Sequence, residues 1–312
     1  MKNYYKTLIV CFTLISALFL ELDAFAATLP FARGEHPRIL ITKDEIPALA
    51  AKVDEPTDPL YPRYMTMKRD VDAAISNNWN WQYIQGPASE NARIRVVSAA
   101  FVYLIENYLH PESSSFYING VKQVLENTNP NNYTGYSNSL QSFAVAYDWI
   151  YNGLSPQDRI TLGNKLMTSY AVLQDPNNRG AGEWQLDDWH TMMSNRPSGE
   201  WTYAAIAIWN ETDLNGNADN SLAQTKLNQI RTFLTTKKIP FTNMVGSGIN
   251  PDGGYDSRGA RQFALELYAW DRATGENLWS TSRYLQDFVS TRLFAWKMYV
   301  DMWVPFGMFD DN

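Results

Sequence analysis

Beyond residue 40, apolar residues return every three to four positions along most of the chain. This is the period of a helix with one face turned to a core. Val96, Val97, Ala100, Phe101, Leu104 and Ile105 trace such a face through 92–108. The same spacing predicts helices over 64–75, 116–126, 139–151, 155–173, 201–209, 221–235, 259–274 and 282–299. Thr42-Lys43-Asp44-Glu45 has the form of a capping box and starts a further helix that runs to Lys52. Ser155-Pro156 gives an N-cap followed by proline at the first helical position. Pro56, Pro59 and Pro62 mark a linker, and Asn, Gly and Pro clusters at 127–135, 175–182, 210–220 and 246–254 mark loops. Strand patterns are scarce, so the expected class is all-α. A bundle, a solenoid or an incomplete ring of antiparallel helix pairs would suit the helices. No heptad seam or fixed repeat favours the first two, and the ring, an incomplete (α/α) toroid, is the expected architecture.

Composition narrows the range of functions. The chain has 312 residues, 45% hydrophobic and 14% aromatic, enough apolar content for a sizeable core. Its net charge of −7 argues against a nucleic-acid binder. With 11 Trp, 18 Tyr and 14 Phe, it holds more rings than a core alone needs, and sugar clefts use rings as platforms. Lys2 and Lys6, an apolar run from Leu8 to Leu20 and Ala24-Phe25-Ala26 read as a secretory signal cleaved after Ala26. The run is shorter than the roughly 20 residues that span a bilayer. The expectation is therefore a secreted or periplasmic domain over 27–312, with no membrane contact once the signal is removed. Cys11 is the single cysteine and lies in that signal, so disulfides and thiolate sites are not expected in the mature chain.

Two loop-rich stretches gather polar and aromatic side chains. One runs Glu183-Trp184-Gln185-Leu186-Asp187-Asp188-Trp189-His190, then Ser194-Asn195-Arg196-Pro197 and Glu200-Trp201. The other, Asn250-Pro251-Asp252-Gly253-Gly254-Tyr255-Asp256-Ser257-Arg258-Gly259-Ala260-Arg261, leads into a helix carrying Glu266 and Tyr268. Loops at helix starts are where a cleft is commonly lined. His36 and His110 each precede proline and read as loop residues, while Tyr147, Trp149 and Tyr151 read as packing. Three scattered histidines imply neither a zinc site nor another metal or cofactor. The segment 213–219 alternates oxygen-bearing side chains but lacks the terminal Glu of a calcium loop.

His36-Pro37-Arg38-Ile39-Leu40-Ile41-Thr42, Ala146-Tyr147-Asp148-Trp149-Ile150-Tyr151 with Leu154-Ser155-Pro156, Asn195-Arg196 ahead of Ala204-Ala205-Ile206-Ala207-Ile208, and Pro251-Asp252-Gly253-Gly254 with Arg261 and Tyr268 occur in that order. Together they resemble the alginate lyase and heparinase-like polysaccharide lyases over residues 36–280. The resemblance implies an (α/α) toroid with a polysaccharide cleft and β-elimination on a uronic-acid glycan. It also implies an Asn-His pair before the Ala-rich helix and an Arg seven residues ahead of a catalytic Tyr. Asn195, Arg261 and Tyr268 match these positions, and Arg196 stands where the family has His.

Elimination across C4 and C5 of a uronate requires the C6 carboxylate to be neutralised, the C5 proton removed and the departing O4 protonated. Arginine and amide donors suit a carboxylate. Asn195, Arg196, Arg258 and Arg261 are such donors. A phenol or imidazole suits the proton transfer, which points to Tyr268 and His190, because arginine stays protonated and is no base. Either His190 replaces the missing family histidine or Tyr268 serves as both base and acid. Tyr255 would assist, and Trp184, Trp189 and Trp201 would line the cleft. An acidic protein must supply a local basic cleft to hold a polyanion, and Arg179, Arg196, Arg258 and Arg261 are the candidates.

Two rivals remain at this stage. Asp187, Asp188, Asp252 and Asp256 are the acid pairs that an α/α-toroid glycoside hydrolase would need, and a non-catalytic glycan-binding chain would use the same cleft. The lyases of the resembled kind with several domains carry a β-sandwich after the toroid. The tail 303–312 follows the last helix directly, which leaves a toroid-only or a C-terminally truncated chain as the expectation.

Overall fold

The computed structural model describes residues 35–79, 89–127, 139–174, 202–209, 221–245 and 256–287, and in the helix that begins at Asp256 it describes side chains from Phe263 onward. The described chain is all-helical, with no strand among the described residues. In chain order the helices are α1 (Ile46–Asp54), α2 (Tyr61–Ser76), α3 (Ser89–Leu109), α4 (Ser114–Asn127), α5 (Ser139–Ile150), α6 (Pro156–Gln174), α7 (202–208), α8 (Ser221–Phe233), α9 (Ile239–Val245) and α10 (Asp256–Thr274). A short helical stretch at 283–287 follows.

Helix α3 is the hub, packing against α1, α2, α4 and α5. Val96, Ala99, Ala100, Val102, Tyr103, Leu104 and Ile105 are all buried. That set exceeds one stripe, as expected of a helix enclosed on several sides. Helix α5 is enclosed in the same way, with every residue from Phe143 to Ile150 buried. Burying each large apolar side chain there contributes about 1.5–3 kcal/mol. Turns of 3₁₀ helix at Pro111–Ser113 and Tyr151–Gly153 are the links from α3 to α4 and from α5 to α6. Such short links keep successive helices in contact, and both pairs pack together.

Most helix starts follow the sequence signals. Ser155 Oγ accepts the backbone N–H of Asp158 at 3.1 Å and donates to its carboxylate at 2.8 Å, capping α6. Pro62 falls in the first turn of α2 rather than in a linker, because a first-turn residue has no intrahelical partner for its N–H. The helix expected to stop at 235 instead runs on. A π-helical turn, Leu234–Lys238, joins α8 to α9, and Pro240 lies just beyond it. Proline supplies no N–H and crowds the carbonyl four residues back, and the wider turn accommodates both defects. Lys238 in that turn is buried, its ammonium 5.8 Å from the Phe263 ring centroid on α10.

The segment 36–45 forms a strap across the helices. Asp148 of α5, fully buried, accepts His36 Nδ1 at 2.6 Å and the backbone N–H groups of Arg38 and Ile39, each at 2.9 Å. The indole of Trp149 donates to the Ile39 carbonyl at 2.8 Å, and Asn152 Nδ2 donates to the His36 carbonyl at 2.6 Å. Arg38 reaches the other way, its Nη2 donating to the carbonyls of Ala207 at 3.0 Å and Trp209 at 2.7 Å beyond the end of α7. His36 lies in a loop, as expected, yet it is buried and stacks on Tyr151 with ring centroids 3.7 Å apart. Leu40 has φ 62°, with Ile41 N–H donating to the Ile39 carbonyl at 2.7 Å. A bulky residue in this region costs about 1–3 kcal/mol, held here by the two fixed groups of Ile39.

Candidate functional site

Helix α10 starts at Asp256, three residues ahead of the sequence expectation, so Arg258 and Arg261 both fall inside it. Gly275, with φ 78°, ends it by donating its N–H to the Asp271 carbonyl at 2.7 Å, a conformation suited to glycine. Phe263, Glu266, Leu267, Trp270 and Ala273 are buried, which defines the inner face. At 3.6 residues per turn, positions 258, 261, 265, 268 and 272 share another face. On it Leu265 and Tyr268 are exposed, Tyr268 to 42%.

Tyr268 is therefore a surface phenol on a helix whose inner face is buried. The guanidinium carbon of Arg272, one turn later, lies 5.5 Å from its ring centroid. Arg272 in turn pairs with Glu45. The Glu45 carboxylate also accepts the backbone N–H of Thr42 at 2.9 Å and its hydroxyl at 3.0 Å. The capping-box carboxylate read from the sequence is thus shared between a helix start and a cation beside the candidate phenol.

Two contacts, one buried and one part-buried, fix α10. Thr202 Oγ1 at the start of α7 donates to Glu266 Oε1 at 2.8 Å, both residues fully buried. Glu276, just after the helix, takes three bonds from the guanidinium of Arg231 of α8 at 2.6–2.9 Å and one from the Trp270 indole at 3.0 Å. The neighbouring Tyr203 phenol is pushed well above its ordinary range by burial and by the charge of Glu266. It holds its proton at working pH and is no base.

Of the residues expected in the site, Tyr268 is described in full, and Arg258 and Arg261 are described as positions on α10. His190, Asn195, Arg196, Tyr255, Trp184, Trp189 and Trp201 lie outside the described residues, as do Arg179, Asp187, Asp188 and Asp252. Sequence reasoning missed Glu45 and Arg272. Glu45 enters the sequence reading only as the capping-box acid, and Arg272 lies one helical turn after Tyr268, but nothing local joins the two.

A second polar cluster lies among α2, α3 and α4. Tyr64 donates to Glu106 Oε1 at 2.6 Å, Tyr117 donates to Asp72 Oδ1 at 2.8 Å, and Lys68 Nζ bonds the Tyr117 oxygen at 2.5 Å and Asp72 Oδ2 at 3.1 Å. Burial pushes the Tyr117 phenol up to about 12. Burial pulls the Lys68 ammonium down, yet its bonds to Tyr117 and Asp72 outweigh that, so it stays above its ordinary value. Each bonded group completes another, so the cluster reads as a brace between helices.

Among the described residues no group of three His, Cys, Asp or Glu side chains could hold a metal ion, and no helix is long and apolar enough to cross a membrane. A groove of about 620 Å³ runs along α8 and the π turn past Asn228, Thr232 and Thr236, and among the described residues lining it Lys237 is the ionisable one. Compared with known proteins, the chain matches no protein-family model, and no curated protein matches it.

Proposed function

We propose that the chain is an (α/α)-toroid polysaccharide lyase, secreted or periplasmic, that cleaves alginate or a related polyuronate by β-elimination. The observation that carries this reading is the exposed Tyr268 on a braced helix, seven residues after Arg261 and one turn before Arg272. Further support comes from the Thr202–Glu266 bond, which ties the helix following the Asn195-Arg196 step to the helix bearing Arg261 and Tyr268.

In this reading Asn195, Arg196 and Arg261 hold the C6 carboxylate, which makes the C5 proton acidic. Tyr268, acting as the base in its deprotonated form, takes the C5 proton. The C5–H electron pair becomes the C4–C5 double bond, the C4–O4 bond breaks with its pair going to O4, and the phenol so formed returns that proton to O4 as it leaves. His190 and Tyr255 assist the proton transfers, while Arg258, Trp184, Trp189 and Trp201 contact the glycan. The basic positions 258 and 261, on the face of α10 that carries Tyr268, offset the acidic net charge where a polyanion would lie.

The test is incubation of the purified protein with a panel of polyuronates while following the ultraviolet absorbance of unsaturated ends. Activity on at least one polyuronate that is lost in Y268F supports the reading. No absorbance with any polyuronate defeats it, and saturated reducing ends would mark a hydrolase instead. Glycan retention in affinity electrophoresis without shortening would mark a binder.

A further inference from the structure

We infer that Glu45 is a positioning residue for Tyr268, acting through Arg272, so that the N-terminal strap is a working part of the site. The inference rests on the reading of Tyr268 as the proton-transfer group. An exposed tyrosine on a helix ordinarily samples its rotamers freely. Here the guanidinium of Arg272 sits over the ring, and the Arg272 side chain, itself long and flexible, is held at its far end by the Glu45 carboxylate. Glu45 is fixed in turn by the Thr42 N–H and hydroxyl. The turn that bears Thr42 follows the strained Leu40 and the Asp148 anchor. Four ties in series thus run from Asp148 on α5 to a surface phenol on α10.

The pair joins segments more than 220 residues apart in the sequence and is only partly exposed, with side chains 36% and 24% accessible. An ion pair of that kind adds little to stability, so its consequence is geometric. A ring that must meet a sugar hydrogen loses rate steeply when its orientation loosens, whereas substrate affinity, set by the carboxylate donors, does not.

The E45Q variant separates the two roles of the carboxylate. Glutamine serves equally well in a capping box, so the helix start is kept, but the charge that holds Arg272 is removed. The expected result is a kcat about tenfold lower with KM within about twofold. In protein labelled with 3-fluorotyrosine, the resonance missing from Y268F belongs to Tyr268, and E45Q should move or broaden it. G120A, a packing variant where α4 meets Ile75 of α2, serves as the control: it should lower the melting temperature without moving that resonance. An unmoved resonance in E45Q, or a kcat within about twofold of wild type, overturns the inference. If the wild-type chain releases no unsaturated ends while E45Q still moves the resonance, the lyase reading fails and the positioning of Tyr268 by Glu45 stands.

Discussion

His36 and Asp148, 112 residues apart in sequence, meet through a 2.6 Å bond between the imidazole Nδ1 and a fully buried carboxylate oxygen. The residue types that carry the family resemblance at the start of the chain and on α5 therefore bind each other. Asp148 sits in the buried stretch 143–150 of α5 and would be costly there without donors, and the strap supplies three. These residues tie the strap to α5, and through Glu45 and Arg272 the strap reaches the candidate phenol Tyr268.

Removing that carboxylate tests the strap. D148A leaves the His36 ring and the Arg38 and Ile39 N–H groups without their acceptor, and should cost about 3–5 kcal/mol, read as a lower urea midpoint. D148N, which keeps an acceptor oxygen in the same shape, should cost less. A strap that merely lies on the surface would show equal, small losses.

The two partners at the end of α10 should differ in the same experiment. R231A removes a half-exposed guanidinium and should cost under about 1 kcal/mol. E276A also orphans the indole N–H of Trp270, whose side chain is fully buried, which adds about 1–3 kcal/mol. Equal losses would mean that the indole bond contributes nothing.

Gly120 tests the packing of α4 on α2. A Cβ there would stand 2.7 Å from the Cδ1 and Cγ1 atoms of Ile75. G120A should therefore destabilise by about 1–3 kcal/mol through overpacking. Combined with I75A, which clears the space, the loss should be smaller than the sum of the two single changes in a double-mutant cycle.

The helices themselves were legible because each exposes a local period. The run of apolar residues every three to four positions placed α3 and α5, and Ser155-Pro156 placed the start of α6. Enclosure was not legible to the same degree: the stripe read on α3 was one face, whereas the helix is buried on several. The His36–Asp148 bond was hidden because a pair 112 residues apart leaves no local pattern, and a histidine before proline resembles any loop. The π turn was hidden for a different reason. Pro240 signals a break, and only the register of the surrounding helix shows that a wider turn absorbs it. For the site, spacing put Arg261 and Tyr268 on one face of α10, while the Glu45–Arg272 pair depends on tertiary contact alone.

Alkaline pH offers the last test, and its sign follows from the polar brace. Burial raises the Tyr117 phenol from its ordinary 10.0 to about 12, and burial with the charge of Glu106 raises Tyr64 as well. Between pH 10 and about 12 the folded chain therefore keeps a proton on Tyr117 that the unfolded chain has released. Stability from this group is complete below pH 10 and is lost as pH rises through 12. Lys68, held above its ordinary value, acts in the same direction above 10.5. Lys165 and Lys226, lowered by burial, act oppositely, and their contribution is complete once the unfolded lysines have titrated near 10.5. Urea unfolding at a series of pH values should thus show stability falling across the window from pH 10 to 12. Y117F should start lower, having lost its bonds to Lys68 and Asp72, and should fall less steeply. A Y117F slope equal to that of the wild type would mean that Tyr117 is not held protonated by its surroundings.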